Sequence, residues 1–254
     1  MSFAVHKRSP IHRLISTVRA VVDPAMHPGL MRTFLENQDP EMVVRGLREL
    51  VVLFERPGHR QAYHALVRVI LDERGISYHR KEELYRAAVA LDSGPLRHLL
   101  LTTPARLVAT QEEVLPDPQM LEISLGVRKS MAKLPDRDKL TRLAMDPSVP
   151  VVEILLHNPK VIEQDVVRIA ARRPNMVAVL ELVARHPKWS SRYDVQLALA
   201  QNPYSPTRLA AAMTPFLKPI HLFHLAQDAA LHDSVRDVGH TIISWRKEAQ
   251  TCTT

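Results

Sequence analysis

Three stretches of this sequence superimpose on the prolines that end them: KLTRLAMDP (139–147), DVVRIAARRP (165–174) and DVQLALAQNP (194–203). A fourth, IHLFHLAQDA (220–229), follows with Ala229 in the proline place. The landmarks Pro147, Pro174, Pro203 and Ala229 lie 27, 29 and 26 residues apart. Three residues before each stand Ala144, Ala171, Ala200 and Ala226, and one further back stand Leu143, Ala170, Leu199 and Leu225. A small residue beside an apolar one at a fixed distance from a helix stop suits short helices that pack closely on both sides.

Between these stretches run PVVEILLHNP, NMVAVLELVARHP, SPTRLAAAM and DSVRDVGHTIISW, the second helix of each pair. The entrance is written twice, as Asp146-Pro147 then Pro150 and as Asn202-Pro203 then Pro206, where Ser205 is placed to cap. Most of these helices are shorter than the dozen or so residues that an isolated helix needs in water. Each must therefore be stabilised by burial against the next pair, which predicts an array of helix hairpins with a period of about 27 residues.

The first hundred residues read as separate helices. Asp39-Pro40 opens one whose apolar residues Val43, Val44, Leu47, Leu50, Val51 and Phe54 share a side, and Arg56-Pro57-Gly58 ends it. Tyr63, Leu66, Val67, Ile70 and Leu71 mark the next, which we expect to close at Gly75, and a third runs from Ser77 to Gly94. An amphipathic helix is expected from about Ile11 to Val22, with no signal peptide before it. The segment 102–118 holds three prolines and reads as a loop or linker. The predicted organisation is an N-terminal helical region (1–101), that linker, and a helical-repeat region (119–254). Seven Gly against 19 Pro agrees with an all-α fold, because tight turns between strands consume glycine.

The region from about Leu125 to Trp245, with LGVRKSMAKLPDRDKLTRLA leading into DVVRIAARRP, resembles the HEAT-like α-helical repeats of bacterial proteins. The likeness is one of repeat pattern over nearly half the chain and brings no catalytic residues with it. It implies an α-solenoid of HEAT-like helix pairs beside the N-terminal bundle, serving as a binding scaffold. A minority of such folds act on DNA. The HEAT-like alkylpurine DNA glycosylases use a basic groove with tryptophans and a catalytic Asp, for which Trp189 and Asp194 are the only neighbouring pair here, with no motif around them.

The net charge of +7 sits wholly in the repeats: residues 128–218 hold 15 Lys and Arg against 8 Asp and Glu, and the remainder is balanced. Candidate binding residues are Arg128, Lys129, Arg168, Arg172, Arg173, Arg185, Lys188 and Arg192, with Trp189 among the last of them. Such a surface suits an acidic protein or a phosphate backbone. The competing reading makes Arg172, Arg173 and Arg185 helix caps and folds Trp189 into the core.

Chemistry is not legible. No phosphate-cradling glycine motif, nucleophile elbow or His-Glu-x-x-His occurs, and the single Cys252 permits neither an internal disulfide nor a thiolate zinc site. His221 and His224 with Asp228, His232 and Asp233 form the best metal-like cluster; His59 with His64 and His6 with His12 are weaker. No run of 18 apolar residues suggests a membrane span. We expect a cytoplasmic, non-enzymatic adaptor without metal, cofactor or catalytic residues, binding another protein across the solenoid surface, with nucleic acid as the alternative partner.

Overall fold

The computed structural model describes residues 9–251 apart from Glu73 and Thr102, so Cys252 and the His6 side of the His6–His12 pair lie outside the described residues. Fifteen α-helices, two 3-10 turns and no strand are found among the described residues. The chain divides into two compact units: residues 1–101 with 241–254, and residues 102–240. No helix among the described residues is long and apolar enough to cross a membrane.

Unit 1 contains α1 (Pro10–Ala20), α2 (His27–Asn37), α3 (Pro40–Val52), α4 (His59–Leu71), α5 (Tyr78–Ala90) and α6 (Gly94–Leu100). α1 buries Ile11, Leu14, Ile15 and Val18, the expected amphipathic stripe, against α2, α3 and α4. Gly46 on α3 makes that approach feasible, since a β-carbon there would stand 2.9 Å from Cβ of Ile11. The Asp39 carboxylate caps α3 at the Met42 N–H, and the Ser77 hydroxyl caps α5 at the Arg80 N–H. α4 starts after Gly58, whose φ of 86° favours glycine, and stops at Leu71, four residues before the expected Gly75. Arg80 is buried: its guanidinium donates to the carbonyls of Leu35 and Gln38 at the end of α2 and to Glu83.

Unit 2 holds α7 (Leu125–Met131), α8 (Arg137–Leu143), α9 (Val149–His157), α10 (Glu163–Ala171), α11 (Val177–Arg185), α12 (Tyr193–Ala200), α13 (Thr207–Met213), α14 (Pro219–Gln227) and the start of α15 (Asp233–Thr251), whose remainder belongs to unit 1. α8 pairs with α9, α10 with α11 and α12 with α13. α7, α9 and α11 pack in one succession, and α10 packs on α12 in another. Leu143, Ala170, Leu199 and Leu225 are all buried at the place the proline alignment gave them. Of the four small residues, Ala144, Ala200 and Ala226 are buried but Ala171 is exposed. It is the last residue of α10, and one residue turns a helix by about 100°, so Ala170 alone supplies the small contact there.

A helix leaves its last four carbonyls without an intrahelical partner. In helices of seven to nine residues, such as α7 to α11, that is about half of all the carbonyls. Unit 2 satisfies several of them with side chains one unit further along the chain. Asn158, just after α9, donates its side-chain amide to Ala132 (2.8 Å) and Leu134 (3.0 Å) at the end of α7. Asn202, just after α12, donates to Ala170 (2.7 Å) and Arg172 (2.9 Å) at the end of α10. Each amide oxygen meanwhile accepts the backbone N–H two residues on, at Lys160 and Tyr204, holding the turn. Asn-Pro is thus the same device in both successions. Contrary to the sequence expectation, Ser205 does not cap α13; its hydroxyl donates back to Leu199 at 2.7 Å, and Pro206 takes the cap position.

Asn202→Ala removes two buried hydrogen bonds and the turn, and should cost about 2–3 kcal/mol. Asn202→Asp keeps the turn acceptor but sets a carboxylate against two carbonyl oxygens, so we expect at least an equal loss. Urea unfolding checks both; a loss below about 0.5 kcal/mol, the level of an ordinary surface substitution, would mean that Asn202 does not tie the pairs together.

Candidate functional site

The excess cations of residues 128–218 are distributed over contacts that fall into two groups. The first group holds unit 2 together. Arg128, on α7, pairs with Asp146 beyond α8 at 2.7 Å, and Asp146 also accepts the Ser148 N–H. Burial raises the Asp146 carboxyl despite Ser148 and Arg128. Arg137, at the start of α8, donates to the Lys160 carbonyl and grips both oxygens of Asp165 at 2.6 and 3.1 Å. Burial alone would raise Asp165, but Arg137, the Ile162 N–H and nearby Arg168 together hold it below the ordinary carboxylate value.

Arg172 donates to the carbonyl of Met145 at the end of α8 and to that of Leu115, and Arg173 donates to Gln201 at the end of α12. They act as caps, though for the helices of neighbouring pairs rather than their own. Trp189 is 2% exposed, and its indole N–H donates to Leu156 at the end of α9 (2.9 Å). Its ring is therefore a core element and offers no exposed stacking face, while Lys188 lies over it at 3.9 Å from the centroid.

Periodicity accounts for this tryptophan. HNPKV (157–161) and RHPKW (185–189) align at a step of 28, so His186 stands where Asn158 stood and Trp189 where Val161 stood. An imidazole cannot donate twice as the amide does; His186 accepts the Trp189 N–H at Nδ1, and its Nε2 is buried without a hydrogen bond among the described residues. Burial, then His157 and Lys188, push its pKa down to about 4, so the ring is neutral at pH 7. The indole N–H supplies the carbonyl contact that the imidazole does not. Sequence inspection could have found the pair by aligning the second helices as well as the first.

The second group faces solvent. Lys129 is exposed on α7, Arg185 pairs with Glu181 within α11, and Arg192 stands 3.8 Å from Glu163. Arg168 is exposed, and its guanidinium, though near enough to Asp165 to act on it, makes no hydrogen bond or close ion pair among the described residues. It lines an open cavity of about 370 Å³ with Asp117, Asp138, Thr141, Arg142 and Met145. The nine predicted binding residues are thus not brought to one place. Arg142, absent from that set, is the cation that joins Arg168.

The histidine cluster is likewise dispersed among structural contacts: the Tyr193 hydroxyl meets Nδ1 of His221 at 2.5 Å with the rings stacked, while His224 is exposed. One apolar feature stands out. α7 buries none of its side chains, and Leu125 and Val127 on it, with Leu121 and Leu134 on either side, are each about half exposed. No protein-family model, no curated protein and no solved structure matches this chain.

Asp165 supplies a pH test of the ties between pairs. Its folded pKa is depressed, so the Arg137 tie is fully present above the unfolded carboxylate value near 3.9 and is lost as pH falls through the lower folded value. Arg137 is 41% exposed, so Arg137→Gln should cost about 1–2 kcal/mol at pH 7 after allowance for screening. Denaturation from pH 7 to pH 2 should show a constant gap between wild type and variant down to about pH 4, closing below it. A gap that closes between pH 7 and 5 would contradict the assignment.

Proposed function

We propose that unit 2 is a short HEAT-like solenoid and that the protein is a non-enzymatic scaffold that binds another protein through it. The observation that carries this reading is α7. It begins the succession α7, α9, α11, yet leaves Leu125 and Val127 half exposed, with Leu121 and Leu134 beside them. Several half-exposed apolar side chains on one short element are a feature of interaction surfaces. A partner offering an apolar helix would extend the stack as the next pair does.

The commitments of the cations support a protein partner over nucleic acid. Arg128, Arg172 and Arg173 are engaged with Asp146 or with backbone carbonyls, Arg185 and Arg192 face glutamates, and Trp189 is inside. Among the nine candidate residues few cations are left uncommitted to follow a phosphate backbone. Residence in the cytoplasm accords with a single cysteine and is part of the same proposal.

Leu125→Glu combined with Val127→Glu should abolish capture of the specific partner while circular dichroism and the thermal midpoint stay near wild type, because both residues already touch water. Retention of that partner by the folded double variant would refute the α7 site. Duplex DNA titrated at 50 and 200 mM salt should show no binding in the micromolar range. Binding there that falls by orders of magnitude at the higher salt would favour the nucleic-acid reading.

A further inference from the structure

Residues 103–117 are not helical, and they run along unit 2 in reverse order to its helices. Thr103 meets Thr207 at the start of α13, the Leu107 N–H donates to Pro203 after α12 (3.1 Å), the Leu115 carbonyl accepts from Arg172 after α10, and Asp117 faces Arg142 on α8 at 3.5 Å. As the strap's numbers rise from 103 to 117, those of its partners fall from 207 to 142.

The seat is slight for so long a segment. Between Thr103 and Asp117 only Val114 is buried, at 1% exposure, and Leu107, Val108 and Leu115 stay largely in water. A stretch with one apolar anchor and few hydrogen bonds opens at low cost. Its acidic end is held at three points within four residues: the Val114 side chain, the Leu115 carbonyl on Arg172 and the Asp117 carboxylate on Arg142, with Pro116 keeping the chain extended between them. Residues 110–118 contain Glu112, Glu113 and Asp117 and no cation. The surface beneath supplies Arg142 and Arg168, which line the open cavity with Asp138, and Arg172, which donates to the carbonyl of the cavity-lining Met145.

We infer that the α8–α10 face bearing Arg142, Arg168 and Arg172 is a docking site for an extended acidic peptide of another protein, which the chain's own segment 112–117 occupies in cis. The ligand has the form apolar-x-Pro-acid with acidic residues ahead of it. Its apolar side chain takes the Val114 place, its main-chain carbonyl accepts from Arg172, and its carboxylates meet Arg142 and Arg168. Tethering gives the strap an effective concentration of about millimolar, so a free peptide of micromolar affinity is masked until the strap lifts. An incoming ligand has Arg168 to gain, which the strap leaves unused. This site uses none of the apolar residues of the α7 surface, and its failure would leave the α7 proposal untouched.

The probe is a labelled, amidated peptide of residues 110–118, TQEEVLPDP, titrated against the full chain by fluorescence anisotropy. The variant Val114→Ser with Asp117→Asn frees the strap, and Asn retains the cap that Asp117 gives the Gln119 N–H. The doubly substituted protein should bind the peptide at least about tenfold more tightly than wild type, as release from a millimolar competitor requires. Adding Arg142→Glu should weaken it again by about tenfold, the order expected for losing one charge-assisted contact. Should Val114→Ser unfold the chain, Asp117→Asn alone carries the comparison, with a smaller gain in the same direction. A folded, strap-freed protein that binds no better than wild type, or is indifferent to Arg142→Glu, overturns the inference. So does a single-stranded oligonucleotide that binds the freed protein more tightly than the peptide.

Discussion

Short helices have a backbone problem before they have a packing problem. In a helix of seven to nine residues the terminal carbonyls that lack a partner are a large part of the whole, and once such a helix is buried they cannot all turn to water. Unit 2 meets this constraint by exchange between neighbours. Asn158 serves α7, Arg172 serves α8, Trp189 serves α9, Asn202 serves α10 and Arg173 serves α12. Each donor lies roughly one period from its acceptor, so the spacing of the sequence repeat and the hydrogen-bond pattern have one cause. Arg80 does the same for α2 in unit 1.

The constraint also explains the charge. Arginine is well suited to the ends of buried helices because its several fixed donors can reach two carbonyls, or a carbonyl and a carboxylate, at once. Arg137 does so with Lys160 and Asp165, and Arg172 with Met145 and Leu115. A chain built this way acquires a basic middle from arginines that serve the fold. The functional surface is then sought where side chains are not consumed by the fold: the apolar residues of α7 and the face that the strap crosses.

Much of this was legible in the residues. The helix entrances at Asp39, Ser77 and Pro150, the stripe of α1 and the buried register of Leu143, Leu199 and Leu225 follow from spacing alone, because one burial surface per helix leaves a period in the sequence. Other features had no such imprint. Which carbonyl Arg172 reaches depends on the neighbouring pair, so a basic residue at a helix end looked like a cap for its own helix. Ala171 kept its place in the alignment but not in the core, since a terminal residue is not held to its helix's buried face. The strap was visible only as proline-rich chain, because a single anchor at Val114 makes no pattern. The contacts of the candidate arginines were not legible for the same reason: charge counted along the chain says nothing about where each guanidinium points.

If donors from neighbouring pairs hold the short helices, the side-chain amides of Asn158 and Asn202 must be shielded from exchange. Both residues are nearly inaccessible to water, and each amide is committed to two carbonyls of the preceding pair. Hydrogen exchange of these NH₂ groups, followed by NMR, should proceed as slowly as that of the backbone amides within α10 and α12. Exchange at the rate of a freely solvated asparagine, in a protein whose helices are otherwise protected, would contradict the account.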